Sequence, residues 1–169
     1  MIDFIRQRFG FFIAHSLLGA VAIRAGKMPA KLPVLVVTGN IRLINDAHSY
    51  AYDMGMLADM PQHSITTHTP WYPEPHTFTG PLLGDVLNRV GARGSRLEAI
   101  ALNGYRSAIP VEDAVRFDVI IARLMDGERM RIPDKGPLCI LYPFDQEEKT
   151  RSPTYYGRSV WQLQGLHVE

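Results

Sequence analysis

Three short motifs in a fixed order, between residues 78 and 143, limit the folds open to this chain more than any other feature. Phe78-Thr79-Gly80-Pro81 predicts the start of a helix, Asn103-Gly104-Tyr105 predicts a tight turn, and Gly136-Pro137-Leu138 opens an apolar run that ends at Pro143. A helix followed by a hairpin and a buried strand is typical of α+β domains. With 169 residues, the chain has the length of one such domain.

The helix after residue 80 is the most strongly patterned element. Its predicted N-cap is Thr79, and Pro81 suits the first turn. Apolar side chains then recur at helical spacing until Gly91 ends the pattern, at Leu82, Leu83, Val86, Leu87 and Val90. One face of this helix is therefore expected to pack on a sheet.

Strand signals dominate the rest of the chain after residue 31. Two dipeptides, Asn103-Gly104 and Asp126-Gly127, predict hairpin turns, the first of type I′. A short helix is predicted over residues 53–60, with Asp53 as its N-cap. Strands are predicted at residues 32–39, 64–69, 97–102, 106–110, 119–125, 137–142 and 159–168.

Three segments are predicted to lack strands. Residues 70–77 contain three prolines and are expected to form an irregular loop, and residues 146–157 are charged and expected to form an exposed loop. Residues 110–114 predict a short helical turn with Glu112 and Asp113 as acids of its first turn.

The first 31 residues predict a targeting segment. Arg6 and Arg8 precede an apolar run over residues 9–23, and Ala20-Val21-Ala22 fits a small-x-small cleavage site. Either a cleaved signal peptide or an uncleaved inner-membrane anchor satisfies this pattern. Both predict export to the periplasm, with residues 1–31 as the leader or anchor and residues 32–169 as the folded domain.

Charge and cysteine content narrow the classes of function. Residues 32–169 carry 13 basic and 16 acidic side chains, a net charge of −3. Because phosphate backbones require a clustered basic face, no nucleic-acid partner is expected. Cys139 is the sole cysteine, so no intramolecular disulfide forms, and its apolar neighbours predict a buried core position. The six histidines lack the paired spacing of a helical metal site.

The three motifs, together with Pro143 and Trp161, occur in the order found in the molybdopterin-binding domain of the sulfite oxidase superfamily, which this chain resembles from about residue 32 to residue 168. The resemblance implies a single α+β domain with a mixed, barrel-like sheet and a few short helices. Trp161 is expected to be a core residue of the last strand.

The chain departs from that family in three ways that bear on chemistry. The family holds molybdenum with a cysteine just upstream of the Phe78 motif, and residues 64–71 contain no cysteine. Cys139 replaces a frequent arginine of the Gly-Pro-Leu strand, and Asn103 replaces an aspartate. The resemblance therefore implies a pterin pocket that lacks the protein ligand to the metal.

A pterin is a flat ring with a guanidine-like edge, so it requires aromatic faces and in-plane hydrogen-bond partners. We expect the ring to stack on Trp71, Tyr72 and Tyr105. In-plane partners are expected from Thr66, Thr67, His68 and Asn103. Asp134 and Lys135 are expected to contact a polar tail.

Three functions remain open. The first, implied by the resemblance, is an exported, non-catalytic protein that binds molybdopterin or a reduced pterin and acts as a ligand-responsive partner of a membrane enzyme of cyclic di-GMP signalling. The second is a molybdenum-cofactor oxidoreductase in which the pterin dithiolene alone holds the metal. The third is a protein-interaction module that has lost the ligand.

Overall fold

A computed structural model describes residues 24–169, which form thirteen strands and four short helices. Of the predicted leader or anchor over residues 1–31, the part up to residue 23, with its apolar run, lies outside the described residues. The strands are β1 (Arg24–Ala25), β2 (Leu35–Gly39), β3 (Leu43–Ile44), β4 (Tyr50–Tyr52), β5 (His63–Thr69), β6 (Tyr72–Gly80), β7 (Arg96–Ala101), β8 (Arg106–Pro110), β9 (Ile120–Ala122), β10 (Leu124–Met125), β11 (Glu128–Arg129), β12 (Cys139–Leu141) and β13 (Leu163–Val168). The helices are α1 (Met54–Ala58), α2 (Leu83–Arg89), α3 (Asp113–Arg116) and α4 (Pro153–Arg158).

The largest sheet has the strand order β4-β2-β13-β7-β8. The last strand of the chain, β13, lies at its centre, parallel to β2 and antiparallel to β7. A second sheet has the order β11-β10-β6-β5, and β12 pairs with β9. Buried side chains from these sheets and from α1 and α2 form one hydrophobic core. The α+β class with a few short helices, predicted from the sequence, is confirmed.

The irregular loop predicted for residues 70–77 is wrong, because β6 begins at Tyr72 and pairs with β5. Its prolines are tolerated for a local reason. Pro73 and Pro75 fall in a bulge, where the register shifts between the Thr67 and Thr69 pairs, and β10 pairs β6 only at Phe78 and Thr79. Proline is confined to such bulges and unpaired edges because it donates no ladder hydrogen bond.

The predicted helix start is also displaced. Thr79 lies in β6 and hydrogen-bonds through its hydroxyl to Ser64 at 2.8 Å, so it does not cap α2, which begins at Leu83 without a side-chain cap. Gly80 ends β6 against β9, and a Cβ atom there would overlap the Ile121 carbonyl. The Phe-Thr-Gly motif therefore allows close contact between two strands.

The two predicted hairpin turns differ from each other. Asp126 and Gly127 both have positive φ angles, 50° and 83°, as a type I′ turn requires. In the β7–β8 hairpin, of Asn103 and Gly104 only Gly104 has a positive φ angle, 83°. The Gly104 N–H donates to the Ala101 carbonyl. This is a three-residue loop with a left-handed glycine, so the type I′ prediction there is wrong.

Of three other local predictions, two are confirmed and one is wrong. Asp53 caps α1 by accepting a hydrogen bond from the Met56 N–H at 2.8 Å, as predicted. Cys139 is fully buried, as predicted, and burial raises the pKa of its thiol. The exposed loop predicted for residues 146–157 is wrong, since it contains a 3-10 turn and α4. In residues 24–169, no helix has the length and apolar character needed to cross a bilayer.

A buried carboxylate joins α3, the end of β12 and α4. Asp113 accepts hydrogen bonds from the Tyr142 hydroxyl at 2.7 Å and from the Arg158 guanidinium at 2.8 Å. Burial, and then the bond to Asp113, raise the pKa of the Tyr142 phenol. Glu112 is different, because its carboxylate is exposed and lies 4.0 Å from Arg116. The sequence pattern predicted the same role, as acids of a first helical turn, for both residues, but the structure gives them different roles.

We predict that Asp113→Ala lowers the free energy of unfolding by about 3–5 kcal/mol, because it leaves a largely buried guanidinium without its partner. Urea denaturation monitored by tryptophan fluorescence measures this change. The matched control is Glu112→Ala, for which a change below about 1 kcal/mol is expected of an exposed ion pair. Equal losses in the two variants would contradict the structural role assigned to Asp113.

Candidate functional site

Four aromatic side chains meet at the tip of the β5–β6 hairpin, and we name them the aromatic cluster: Trp71, Phe144, Tyr156 and Trp161. Trp71 lies in the two-residue turn between Thr69 and Tyr72. Its ring is perpendicular to that of Trp161, with centroids 4.7 Å apart, and 6.0 Å from the ring of Tyr156. Such edge-to-face packing fixes the rings in place.

A cavity of about 240 Å³ opens beside this cluster, and we name it the aromatic cavity. Its walls include Trp71, Tyr156 and Trp161, and also Asn103 and Tyr105 from the β7–β8 turn. The Asn103 side chain accepts a hydrogen bond from the Tyr105 N–H at 3.0 Å, which shapes that turn. The structure thus brings together Trp71, Asn103 and Tyr105, three of the residues predicted to bind a ring.

A polar contact distinguishes this cavity from a plain apolar void. The Tyr105 hydroxyl donates to the Gly157 carbonyl at 3.0 Å, which joins the turn to α4. The indole N–H of Trp161 is buried and has no hydrogen-bond partner within residues 24–169. Its nitrogen has almost no accessible surface, so the packing of the ring encloses it. Trp161 is half-buried here, and the core position predicted for it is only partly correct.

A second, more open cleft of about 600 Å³ lies on the other side of Tyr156, and we name it the polar cleft. Asp145 organises it. One carboxylate oxygen accepts hydrogen bonds from the backbone N–H of His68 at 2.8 Å and pairs with the imidazole Nδ1 at 2.9 Å. The other oxygen accepts from Arg151 at 2.9 Å. Tyr156 lines both spaces, so the aromatic cavity and the polar cleft share a wall.

The electrostatics of the polar cleft follow from these bonds. Burial acts to raise the pKa of Asp145, but hydrogen bonds from His68 and the nearby Arg151 charge outweigh it and lower that pKa. The carboxylate therefore stays ionised and holds both partners. The His68 side chain is 66% exposed, so its other ring nitrogen faces the cleft or solvent. An imidazole and a guanidinium beside an open cleft suit an anionic or polar group.

Strand alternation separates the predicted residues of β5. Thr67 points inward, is buried, and accepts a hydrogen bond from the Asp145 N–H at 3.0 Å. Thr66 points outward and bonds to Thr77 at 2.9 Å. Neither lines the aromatic cavity or the polar cleft, whereas His68 lines the latter. Thr67 instead supports the loop that carries Asp145.

The remaining predicted residues are Tyr72, Asp134 and Lys135. The Lys135 ammonium is 5.6 Å from the Trp161 ring centroid and 6.0 Å from that of Tyr72. The Tyr72 hydroxyl is buried and has no hydrogen-bond partner in the described part of the chain, and burial raises its pKa. Asp134 bonds to Arg131 at 2.8 Å. None of Tyr72, Asp134 and Lys135 lines the two spaces described above.

Several lining residues were not identified from the sequence. Tyr156 and Arg151 belong to the segment predicted as an exposed loop, and Phe144 and Asp145 directly follow the Pro143 motif. A signal was present, since Pro153 at a helix N-terminus followed by Tyr155 and Tyr156 is unusual for a solvated loop. The high charge of residues 146–157 favoured the prediction of an exposed loop over that of a helix.

The donor set bears on metal binding by the protein itself. Cys139 is fully buried in β12, and no cysteine lines either space. Within residues 24–169, no group of three or more His, Cys, Asp or Glu side chains has the arrangement of a metal site. The aromatic walls and polar groups therefore fit an organic ring, while protein sulfur is not placed to hold a metal there.

Comparisons with known proteins bear on the fold alone. No family model and no curated protein matches the sequence. In structure the chain is similar to the sulfane dehydrogenase SoxCD from Paracoccus pantotrophus, with a TM-score of 0.59 and 15% sequence identity. The likeness covers 79% of this chain and 37% of the dehydrogenase chain, so this chain spans less than half of that one. The predicted fold class is confirmed, as a distant likeness to an enzyme domain.

The hydrogen bonds of Asp145 predict a pH dependence of stability. Because its pKa is lower in the folded protein than in the unfolded chain, the unfolded chain takes up protons first as the pH falls below about 4. The stability that Asp145 contributes is therefore present above that pH and is lost as the pH falls through the folded pKa. We expect Asp145→Asn to be less stable at pH 7 and to lose less stability on acidification.

Urea midpoints at about pH 7 and pH 3 test this expectation. The control is Glu148→Gln, whose exposed side chain forms no hydrogen bond or salt bridge among the described residues. An Asp145→Asn profile parallel to that of the wild type would show that these bonds contribute nothing to acid sensitivity.

Proposed function

We propose that this chain is an exported, non-catalytic pterin-binding protein. The observation that carries the proposal is the aromatic cavity, whose walls include four aromatic residues and the Asn103 amide. The sequence resemblance to the molybdopterin-binding domain of the sulfite oxidase superfamily and the shared fold support the same ligand class. Molybdopterin and a reduced pterin both carry the ring that the cavity would take.

The size of the aromatic cavity favours a small planar ring. Drug-sized ligands occupy pockets of about 300–1,000 Å³, and the cavity of about 240 Å³ lies just below that range. One bicyclic ring is therefore favoured over a whole nucleotide. Tyr105 and Tyr156 offer aromatic faces, and the Asn103 amide offers in-plane hydrogen bonds to the ring edge.

The polar cleft offers a place for the substituent of the ring. Because Tyr156 lines both spaces, a ligand with its ring in the aromatic cavity can extend a polar tail past Tyr156. His68 and Arg151 would then meet that tail with one imidazole nitrogen and a guanidinium. Lys135 and Asp134, predicted for this role, lie elsewhere.

The oxidoreductase alternative is less well supported by the chemistry of the lining residues. An enzyme of this kind would need either a thiolate at the site or a metal held by the pterin alone. Cys139 cannot supply the thiolate because it is buried in β12 and burial raises its pKa. The proposed role is therefore binding, in which His68, Asp145 and Arg151 orient the ligand.

A signalling role extends the proposal beyond the site. The predicted leader or anchor over residues 1–31 supports a periplasmic location, and the resemblance supports a membrane partner that makes or breaks cyclic di-GMP. In such a mechanism the ligand shifts the protein between surface conformations that the partner binds differently. Tyr105, which is 50% exposed and bonded to α4, is a residue through which a bound ring would alter the surface.

The first experiment is to purify the full chain from its host, denature it, and measure pterin fluorescence after oxidation and molybdenum per chain. Pterin without molybdenum supports the proposal. Pterin and molybdenum together would favour the oxidoreductase. If neither is present, titration with a reduced pterin decides, and no binding would overturn the proposal in favour of an interaction module.

We predict that Tyr105→Ala weakens pterin binding about fivefold to tenfold, because loss of one aromatic face removes roughly 1–1.5 kcal/mol. Tyr105 is preferred to Trp71, whose ring packs against three others, so that its truncation would also disturb the fold. Quenching of ligand fluorescence measures the affinity. Val115→Ala, at an 84% exposed position, is the control and should bind like the wild type.

Tyr105→Phe separates the ring from the hydroxyl. It keeps the aromatic face and removes the bond to Gly157, so we expect affinity closer to wild type than in Tyr105→Ala. Wild-type affinity in Tyr105→Ala, with an unchanged urea midpoint, would remove Tyr105 from the binding site.

A further inference from the structure

The first part of the described chain exposes two large apolar side chains to solvent. Residues 27–32 read Lys-Met-Pro-Ala-Lys-Leu, and we name them the basal segment. Met28 is 65% exposed and Leu32 is 88% exposed. Single exposed apolar residues are common on proteins. Here two such residues lie within five positions, and each directly follows a lysine, so the segment alternates cationic and exposed apolar side chains.

The basal segment and the folded domain beside it carry four cationic side chains that line one groove. Lys27 and Lys31 line a groove of about 280 Å³ together with Arg123 and Arg129, which come from the second sheet and its neighbouring turn. Within residues 24–169, none of these four side chains forms a salt bridge. The segment and the folded domain therefore each contribute two cations to one groove, which we name the basic face. Met28 and Leu32 are the chain neighbours of its two lysines.

The groove also contains two carboxylates, and one of them is already used by the fold. Asp53 accepts hydrogen bonds from the backbone N–H groups of Met56 at 2.8 Å, Ala30 at 2.7 Å and Lys31 at 3.0 Å. These bonds lower its pKa, so it remains an anion held by backbone donors. They also fix the basal segment against α1. Asp59, the second carboxylate, lines the same groove as the four cations and forms no salt bridge among the described residues.

The position of the basal segment in the sequence points to its partner. It begins four residues after the apolar run over residues 9–23, which predicts a membrane-inserted leader or anchor. Cleavage after Ala22 would leave the segment in the mature chain. In either form, the residues beside a membrane-directed run carry the exposed apolar side chains and the cations.

We propose that this basic face lies on the surface of an anionic phospholipid bilayer. Met28 and Leu32 enter the boundary between head groups and acyl chains, while Lys27, Lys31, Arg123 and Arg129 lie over lipid phosphates. Exposed apolar side chains interleaved with cations are what an interfacial segment requires, since apolar burial and charge attraction add. An acidic protein would satisfy the cations but gives no reason for the adjacent apolar run. The proposal does not rest on pterin binding.

The test places a reporter in the basal segment of the full chain. Met28→Cys is labelled with an environment-sensitive fluorophore, and the buried Cys139 stays unlabelled. Vesicles of phosphatidylcholine alone are compared with vesicles that also contain phosphatidylglycerol. The matched control carries the label at Val115→Cys, an apolar position in α3 that is 84% exposed. Residues 1–23 are present in both proteins, so any membrane affinity they supply is common to both.

We expect a blue shift of the label at position 28 on anionic vesicles, a smaller shift on phosphatidylcholine, and none at position 115. A chain that also carries Lys27→Glu, Lys31→Glu and Arg129→Glu should lose the shift on anionic vesicles. The charge control, Lys149→Glu, should keep it. No shift at position 28, an equal shift at position 115, or an unchanged shift in the triple variant would overturn the proposal.

Discussion

The carboxylate of Asp113 is the interaction on which the candidate site depends. It lies buried at the start of α3 and holds the Tyr142 hydroxyl after β12 and the Arg158 guanidinium at the end of α4. Burying a charge is costly unless it is paired and hydrogen-bonded, so both partners are required. Because α4 carries Tyr156, this network also fixes the wall between the aromatic cavity and the polar cleft.

The site combines stretches of chain that are individually ordinary. A hairpin tip supplies Trp71, the β7–β8 turn supplies Asn103 and Tyr105, and α4 supplies Tyr156. Their junctions are specific: the Tyr105 hydroxyl bonds to the Gly157 carbonyl, and the rings of Trp71 and Trp161 meet edge to face. Such a site is positioned by packing between sheets rather than by any single motif.

Local chemistry predicted the elements whose signals depend on nearby residues. The Asp53 cap, the Asp126-Gly127 turn and the buried Cys139 all follow from backbone geometry or apolar neighbours. The errors have a common cause. Prolines in β6 are tolerated because β6 has a bulge against β5 and pairs with β10 only at Phe78 and Thr79. Thr79 lies in a strand because it pairs with Ser64 of β5. Pairing between distant segments decides such cases, and local propensity does not record it.

By itself the sequence determined the α+β class, the order of its main elements and the aromatic residues available for a planar ligand. It did so because capping, turn geometry and apolar periodicity are local properties. Only the tertiary structure decided which of those residues meet. It placed Trp71, Asn103 and Tyr105 around one cavity and turned Thr66 and Thr67 away from it. It also paired His68 with Asp145, whose other oxygen binds Arg151. Strand alternation and long-range packing set those neighbours, since facing side chains depend on register rather than on sequence distance.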